Sequence, residues 1–178
     1  PYQGVLDPRT GIVKEVKMPP TRGGLPGTHT VMVDNKRGWA WYTQRWAGSY
    51  FVRLDIATGE FKEFDTIGGS NFQIAPDGSI WVRGRDKLDE QGKVIQGVYR
   101  IDPETAEITD VYPLKNPIPY QSAVSAAGRF WAGASPPSTG TNTAEMLDIR
   151  SGKMYEVNSG DRMHGGGRGG FEPNGKDA

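Results

Sequence analysis

The chain has 178 residues, among them 25 Gly and 13 Pro, and it has no Cys. That much Gly and Pro disfavours a helical bundle, and the lack of Cys excludes disulfides, thiolate catalysis and Cys-based zinc or iron–sulfur sites. Lys and Arg number 21 against 21 Asp and Glu, which leaves no global footprint for nucleic acid or an anionic membrane surface, and no apolar run is long enough for a membrane-spanning helix.

In chain order, residues 1–19 predict two antiparallel strands about the turn Leu6-Asp7-Pro8-Arg9-Thr10-Gly11. Residues 27–65 predict four: an entry strand at Val31-Met32-Val33-Asp34, a strand at Gly38-Trp39-Ala40-Trp41, and a pair about Leu54-Asp55-Ile56-Ala57-Thr58-Gly59. Residues 70–114 repeat the pattern with Gly78-Ser79-Ile80-Trp81 and Ile101-Asp102-Pro103-Glu104-Thr105-Ala106. Residues 118–158 repeat it again with Gly128-Arg129-Phe130-Trp131 and Leu147-Asp148-Ile149-Arg150-Ser151-Gly152. Residues 163–178 open one more entry strand.

The turn chemistry explains the repeat. An Asp carboxylate accepts backbone N–H groups two residues on, and Gly supplies the left-handed position that closes the turn. Period-two alternation on both sides, as in Tyr50-Phe51-Val52-Arg53-Leu54 and Glu60-Phe61-Lys62-Glu63-Phe64, reads as antiparallel strands. Asp7, Asp55, Asp102 and Asp148 recur at spacings of 48, 47 and 46 residues. Four strands per unit of about 40–50 residues is the blade of a β-propeller. The expected fold is all-β: three complete four-stranded blades with partial blades at 1–19 and 163–178, in one propeller domain. Trp41, Trp81 and Trp131 each stand three residues after Gly and are expected in equivalent places on the second strands. Such a chain is expected to be part of a larger ring, with the rest of the same propeller as its first partner.

The unit Gly-x-x-Trp-Tyr-Thr, then Phe51-Val52-Arg53-Leu54-Asp55, then Thr58-Gly59-Glu60-Phe61-Lys62-Glu63-Phe64 resembles the virginiamycin B lyase (streptogramin lyase) family. The resemblance implies a seven-bladed propeller and a secreted or periplasmic location. It also implies an elimination that opens a cyclic ester, with Mg²⁺ as cofactor and a His base near the central channel. His29 stands where the family has its entry-strand His, and Gln44 stands where a Glu is due. An amide is a poorer ligand for a divalent metal and cannot act as a base. The expectation is therefore a binding or scaffold propeller with no metal site in this segment. The alternative is a metal-dependent lyase or lactone hydrolase completed by further blades.

Only two histidines occur, His29 and His164, and both open entry strands. Each is weighed as a catalytic base or metal ligand against a hydrogen-bonded loop residue. Gln73 and Gln121 lie in comparable entry-strand places and, with Gln44, are candidate channel-lining contacts for a small molecule. The run Gly165-Gly166-Gly167-Arg168-Gly169-Gly170 has dinucleotide-loop spacing, but Phe171-Glu172-Pro173 cannot start the required helix. One Arg-Gly-Gly element in a neutral chain is likewise poor evidence for RNA. Asp86, Asp89 and Glu90 are interleaved with Lys and Arg and read as a solvated turn rather than a calcium loop.

Overall fold

A computed structural model describes residues 2–18, 28–44, 50–64, 71–84, 89–115, 121–134 and 143–158. Within them lie fourteen β-strands and no helix, arranged in four antiparallel sheets. The chain divides into two compact units, Pro1–Ser70 and Asn71–Ala178.

The first unit pairs β1 (Tyr2–Leu6) with β2 (Val13–Lys17), and then builds β3 (Thr28–Asp34), β4 (Trp39–Gln44), β5 (Tyr50–Asp55) and β6 (Phe61–Phe64) into one sheet in that order. The second unit holds two such sheets. One runs through β7 (Phe72–Ile74), β8 (Ile80–Gly84), β9 (Gly97–Ile101) and β10 (Ile108–Pro113). The other runs through β11 (Gln121–Val124), β12 (Phe130–Ala134), β13 (Thr143–Asp148) and β14 (Lys153–Asn158). The three four-stranded sheets are the blades that the repeat predicts. His164 and the final entry strand lie outside the described residues.

The recurring Asp residues are turn formers. Asp55 Oδ1 accepts the N–H of Ala57 at 3.0 Å and of Thr58 at 2.9 Å, and Asp102 Oδ1 accepts those of Glu104 at 2.8 Å and Thr105 at 2.9 Å. Asp7 and Asp148 do the same for Arg9 and Arg150. Each turn closes when the residue four positions on donates its N–H to the Asp carbonyl. That residue has positive φ in all four turns: Gly11, Gly59 and Gly152, but Ala106 with φ 60° in the third. Gly128 closes a different turn with φ +69°, and a Cβ there would meet Pro76 Cδ at 3.1 Å. Gly128→Ala is expected to cost about 1–3 kcal/mol in urea unfolding, from left-handed strain together with that contact.

Cross-strand register corrects one expectation. Trp41 pairs with Arg53 and Trp81 with Arg100, each two residues before its turn Asp. Trp131 pairs instead with Leu147, one residue before Asp148. The cause is a single extra residue. In the β7–β8 turn Ala75 N–H bonds to Ser79, directly after Gly78, whereas in the β11–β12 turn Ser125 N–H bonds to Phe130, with Arg129 interposed after Gly128. Ser125 Oγ secures the longer turn by accepting the N–H groups of Arg129 and Phe130, both at 3.1 Å. Because side chains alternate faces along a strand, the slip turns Trp131 to the opposite face of its blade from the one Trp81 takes. Trp81 and Trp131 consequently meet in one core, with Ala75, Val98, Leu114 and Leu147.

The slip also governs the indole N–H. Trp81 Nε1 donates to Ser79 Oγ, two residues earlier, at 2.8 Å. In the other blades that position is Trp39 or Arg129, and Nε1 of buried Trp41 and Trp131 has no hydrogen-bond partner. In the first unit the core joins Val16 and Met18 of the hairpin to Ala40, Tyr42, Val52 and Leu54.

Candidate functional site

His29 lies in β3, where the ladder with β4 slips between Thr28 and Val31. Thr28 is opposite Gln44, and Gln44 is in turn opposite Tyr50 of β5. The backbone therefore brings the two family-matched positions to the same end of one blade. His29 is half-buried, with Nδ1 3.1 Å from Thr30 Oγ1. The Thr30 N–H reaches the buried Thr43 Oγ1 at 3.4 Å. A hydroxyl at Nδ1 helps to orient the ring. Among the described residues no three His, Asp or Glu side chains converge as a metal ion requires.

Gln73 and Gln121 are not level. Gln73 is half-buried on β7 opposite Trp81, while Gln121 opens β11 opposite Ala134. Counted from the turns that Ala75 and Ser125 close, Gln121 is level with Asn71, two residues before Gln73. The strands themselves are neighbours, since β7 and β11 lie against each other within the second unit.

Sequence reasoning did not find two polar arrangements in that unit. One is a relay on Trp81: the Ser79 hydroxyl, acceptor for the indole, donates to Asp77 Oδ1 at 2.6 Å. Asp77 Oδ2 accepts from Arg100 at 3.1 Å, and Arg100 also reaches Asp110 at 3.6 Å. The signal was present as Asp77-Gly78-Ser79-Ile80-Trp81, where the hydroxyl stands two residues from both partners. The other is Glu145, 3 % exposed, whose carboxylate accepts the Lys115 N–H at 2.9 Å. Its place on β13 carries no motif that would mark it. Both arrangements hold structure together.

The carboxylates set an acid limit. The Thr58 amide holds Asp55 below the usual carboxylate range, and the Arg9 amide does the same for Asp7. Burial raises Asp77, but the Ser79 hydroxyl and amide together with Arg100 outweigh it, so this carboxyl also ends lowered. Folded values below the ordinary 3.8 mean that these groups stabilise the fold above that pH. Their contribution is lost as pH falls through the lower folded values. The urea midpoint is expected to hold down to about pH 5 and to drop below about pH 4, and Asp55→Asn should flatten that drop.

One sizeable cavity opens in the first unit, a groove of about 690 Å³ between the β1–β2 hairpin and the β3–β6 blade. Val5 and Leu6 line one side, and Val31, Val33, Ala40 and Ile56 line the other. Val31 and Val33 are 41 % and 49 % exposed there.

No protein-family model matches the chain, and no curated protein matches it either. Solved structures do share its fold. TolB from Acinetobacter baumannii superposes with a TM-score of 0.58 at 18 % identity, over 86 % of this chain and 36 % of that one. The tricorn protease gives 0.55 at 17 % identity, over 83 % of this chain and 16 % of its own. A Bacteroides uniformis protein proposed to be a 6-phosphogluconolactonase gives 0.56 at 14 % identity, over 88 % and 46 %. The chain thus has a β-propeller fold and spans less than half the length of each of these proteins.

Proposed function

We propose that residues 1–178 are part of one propeller domain of the streptogramin-lyase-like kind, a binding or scaffold module that takes a small molecule at its inner strands without metal-dependent catalysis. The observation that carries this reading is the register of Thr28 with Gln44, which brings the backbone of Gln44 to the His29 end of the blade, at the position where the family pattern has a Glu. A neutral amide orients a polar ligand by donating and accepting, but it neither removes a proton nor balances the charge of Mg²⁺. The neighbours' names, a protease and a proposed lactonase among them, do not choose between binding and catalysis, because propellers host both.

A second reading has one observation in its favour. His29 Nδ1 is held by Thr30, the arrangement that orients an imidazole as a base. In that reading further blades complete a lyase or lactone hydrolase acting on a cyclic ester. Incubating the chain with a cyclic depsipeptide or a lactone and Mg²⁺ is expected to give no turnover above buffer. Metal-dependent opening that disappears in His29→Ala would overturn the binding reading in favour of the second. His29→Ala itself is expected to change stability by less than about 0.5 kcal/mol, as an incompletely buried side chain with one weak partner.

A further inference from the structure

The groove in the first unit has a counterpart in the second, and there it is filled. Val33, Ala40 and Ile56 occupy the same blade positions as Val124, Trp131 and Ile149, judged from the turn that each blade closes and from the bonds Ile56 N–H to Gly38 and Ile149 N–H to Arg129. In the second unit those three residues pack with the indole of Trp81, delivered by β8 of the preceding blade. In the first unit Val33, Ala40 and Ile56 line open space. What the preceding hairpin lacks, among the described residues, is the strand that would deliver such an indole.

The edge that would receive this strand is identifiable. Asp7 donates its N–H to Ile12 across the hairpin, so Asp7 bonds toward β2. Alternation then turns the N–H and C=O of Leu6 and Gly4 to the other edge of β1, where the sheet has no further strand among the described residues. The corresponding strands β5 and β9 each carry a Trp strand on that edge, with Trp41 opposite Arg53 and Trp81 opposite Arg100. Val5 is the residue at that register in β1, two before Asp7, and it packs against the core of the first unit. An incoming residue opposite Val5 shares its face and lies over the groove.

From this we infer that the groove seats the indole of a Trp strand that adds antiparallel to β1, as part of a two-stranded hairpin supplied by a further repeat of the propeller's own polypeptide. The inference rests on the reading of this chain as part of a larger propeller. The continuity of the groove with the existing hairpin–blade core, and the filled counterpart in the second unit, decide the occupant.

The test appends a copy of residues 28–49, which carry β3, β4 and their link to β5, ahead of Tyr2 in place of Pro1. The extended chain is expected to melt at least about 5 °C higher than the parent. Its Gly4 and Leu6 amides should gain at least tenfold protection from hydrogen exchange. Replacing Trp41 by Ala in the appended copy alone should remove the gain. Val33→Asp should leave the parent's melting temperature unchanged, since the residue is exposed, and should lower that of the extended chain. An unchanged melting temperature on extension, or a gain that survives Trp41→Ala in the copy, would overturn the inference. So would a parent dimer that Val33→Asp disperses, because the groove would then belong to a second copy. None of these readouts depends on ligand or catalysis, so failure of the binding reading leaves them where they are.

Discussion

Replacing Trp81 with alanine is expected to destabilise the second unit by about 3–5 kcal/mol, the range for removing a fully buried large aromatic side chain. The indole is 0 % exposed, stacks on Tyr112 at a centroid distance of 5.9 Å and joins two blades through Trp131 and Leu147. Its removal also leaves the Ser79 hydroxyl without its donor. Ser79→Ala keeps the ring but strands its N–H, and is expected to cost less, about 1–3 kcal/mol. Urea unfolding followed by near-ultraviolet circular dichroism measures both. The double variant should fall short of the sum, because the two side chains share one hydrogen bond. Equal losses from the two single variants would contradict the packing assigned to Trp81.

Inserting one alanine between Phe130 and Trp131 should be about as damaging as losing a buried tryptophan, about 3–5 kcal/mol. The β11–β12 turn still closes on Phe130 after the insertion. Trp131 therefore moves one rung on, to the rung that Trp81 occupies in its own blade two residues before the turn Asp, and away from the shared core. Arg129→Ala is the control. It keeps the turn length and gives up only a long ion pair, 3.9 Å, from the exposed guanidinium to the buried Asp148 and a ring contact with Phe130, and should cost less than about 1 kcal/mol. If the insertion proves as mild as the alanine substitution, the register assigned to this blade is wrong.

These two experiments mark where sequence reading succeeds and where it stops. The turns were legible because Asp followed by a left-handed Gly is a local instruction, which needs only the residues within it. Even Ala106 was placed correctly by its neighbours Asp102 and Thr105, at a position where Gly is the ordinary choice. Register was not legible. Gly-x-x-Trp recurs with identical spacing in three blades, yet one interposed residue in the hydrogen-bonded turn of the last blade reverses the face of Trp131. The choice between a turn closing on Ser79 and one closing on Phe130 depends on Ser125 Oγ and on the core the side chains must fill, and neither is visible in spacing. His29 and Gln44 were brought to one end of a blade because a hairpin ladder fixes that neighbourhood directly. Glu145 escaped notice because its partner, the Lys115 backbone, lies 30 residues away with no side-chain signature.

The strict succession of strand neighbours in each sheet has a kinetic corollary. Among the described residues every pairing joins consecutive strands, from β1–β2 to β13–β14, so none of these ladders waits for a distant part of the polypeptide. Closing each loop costs little chain entropy, and the cost grows only slowly with loop length. A blade can therefore assemble while the next is still emerging from the ribosome, in order from the first hairpin onward. Folding rates should respond most to substitutions in the Asp turns, which register neighbouring strands early. Unfolding rates should respond most to Trp81 and Trp131, whose contact forms only after two finished blades meet.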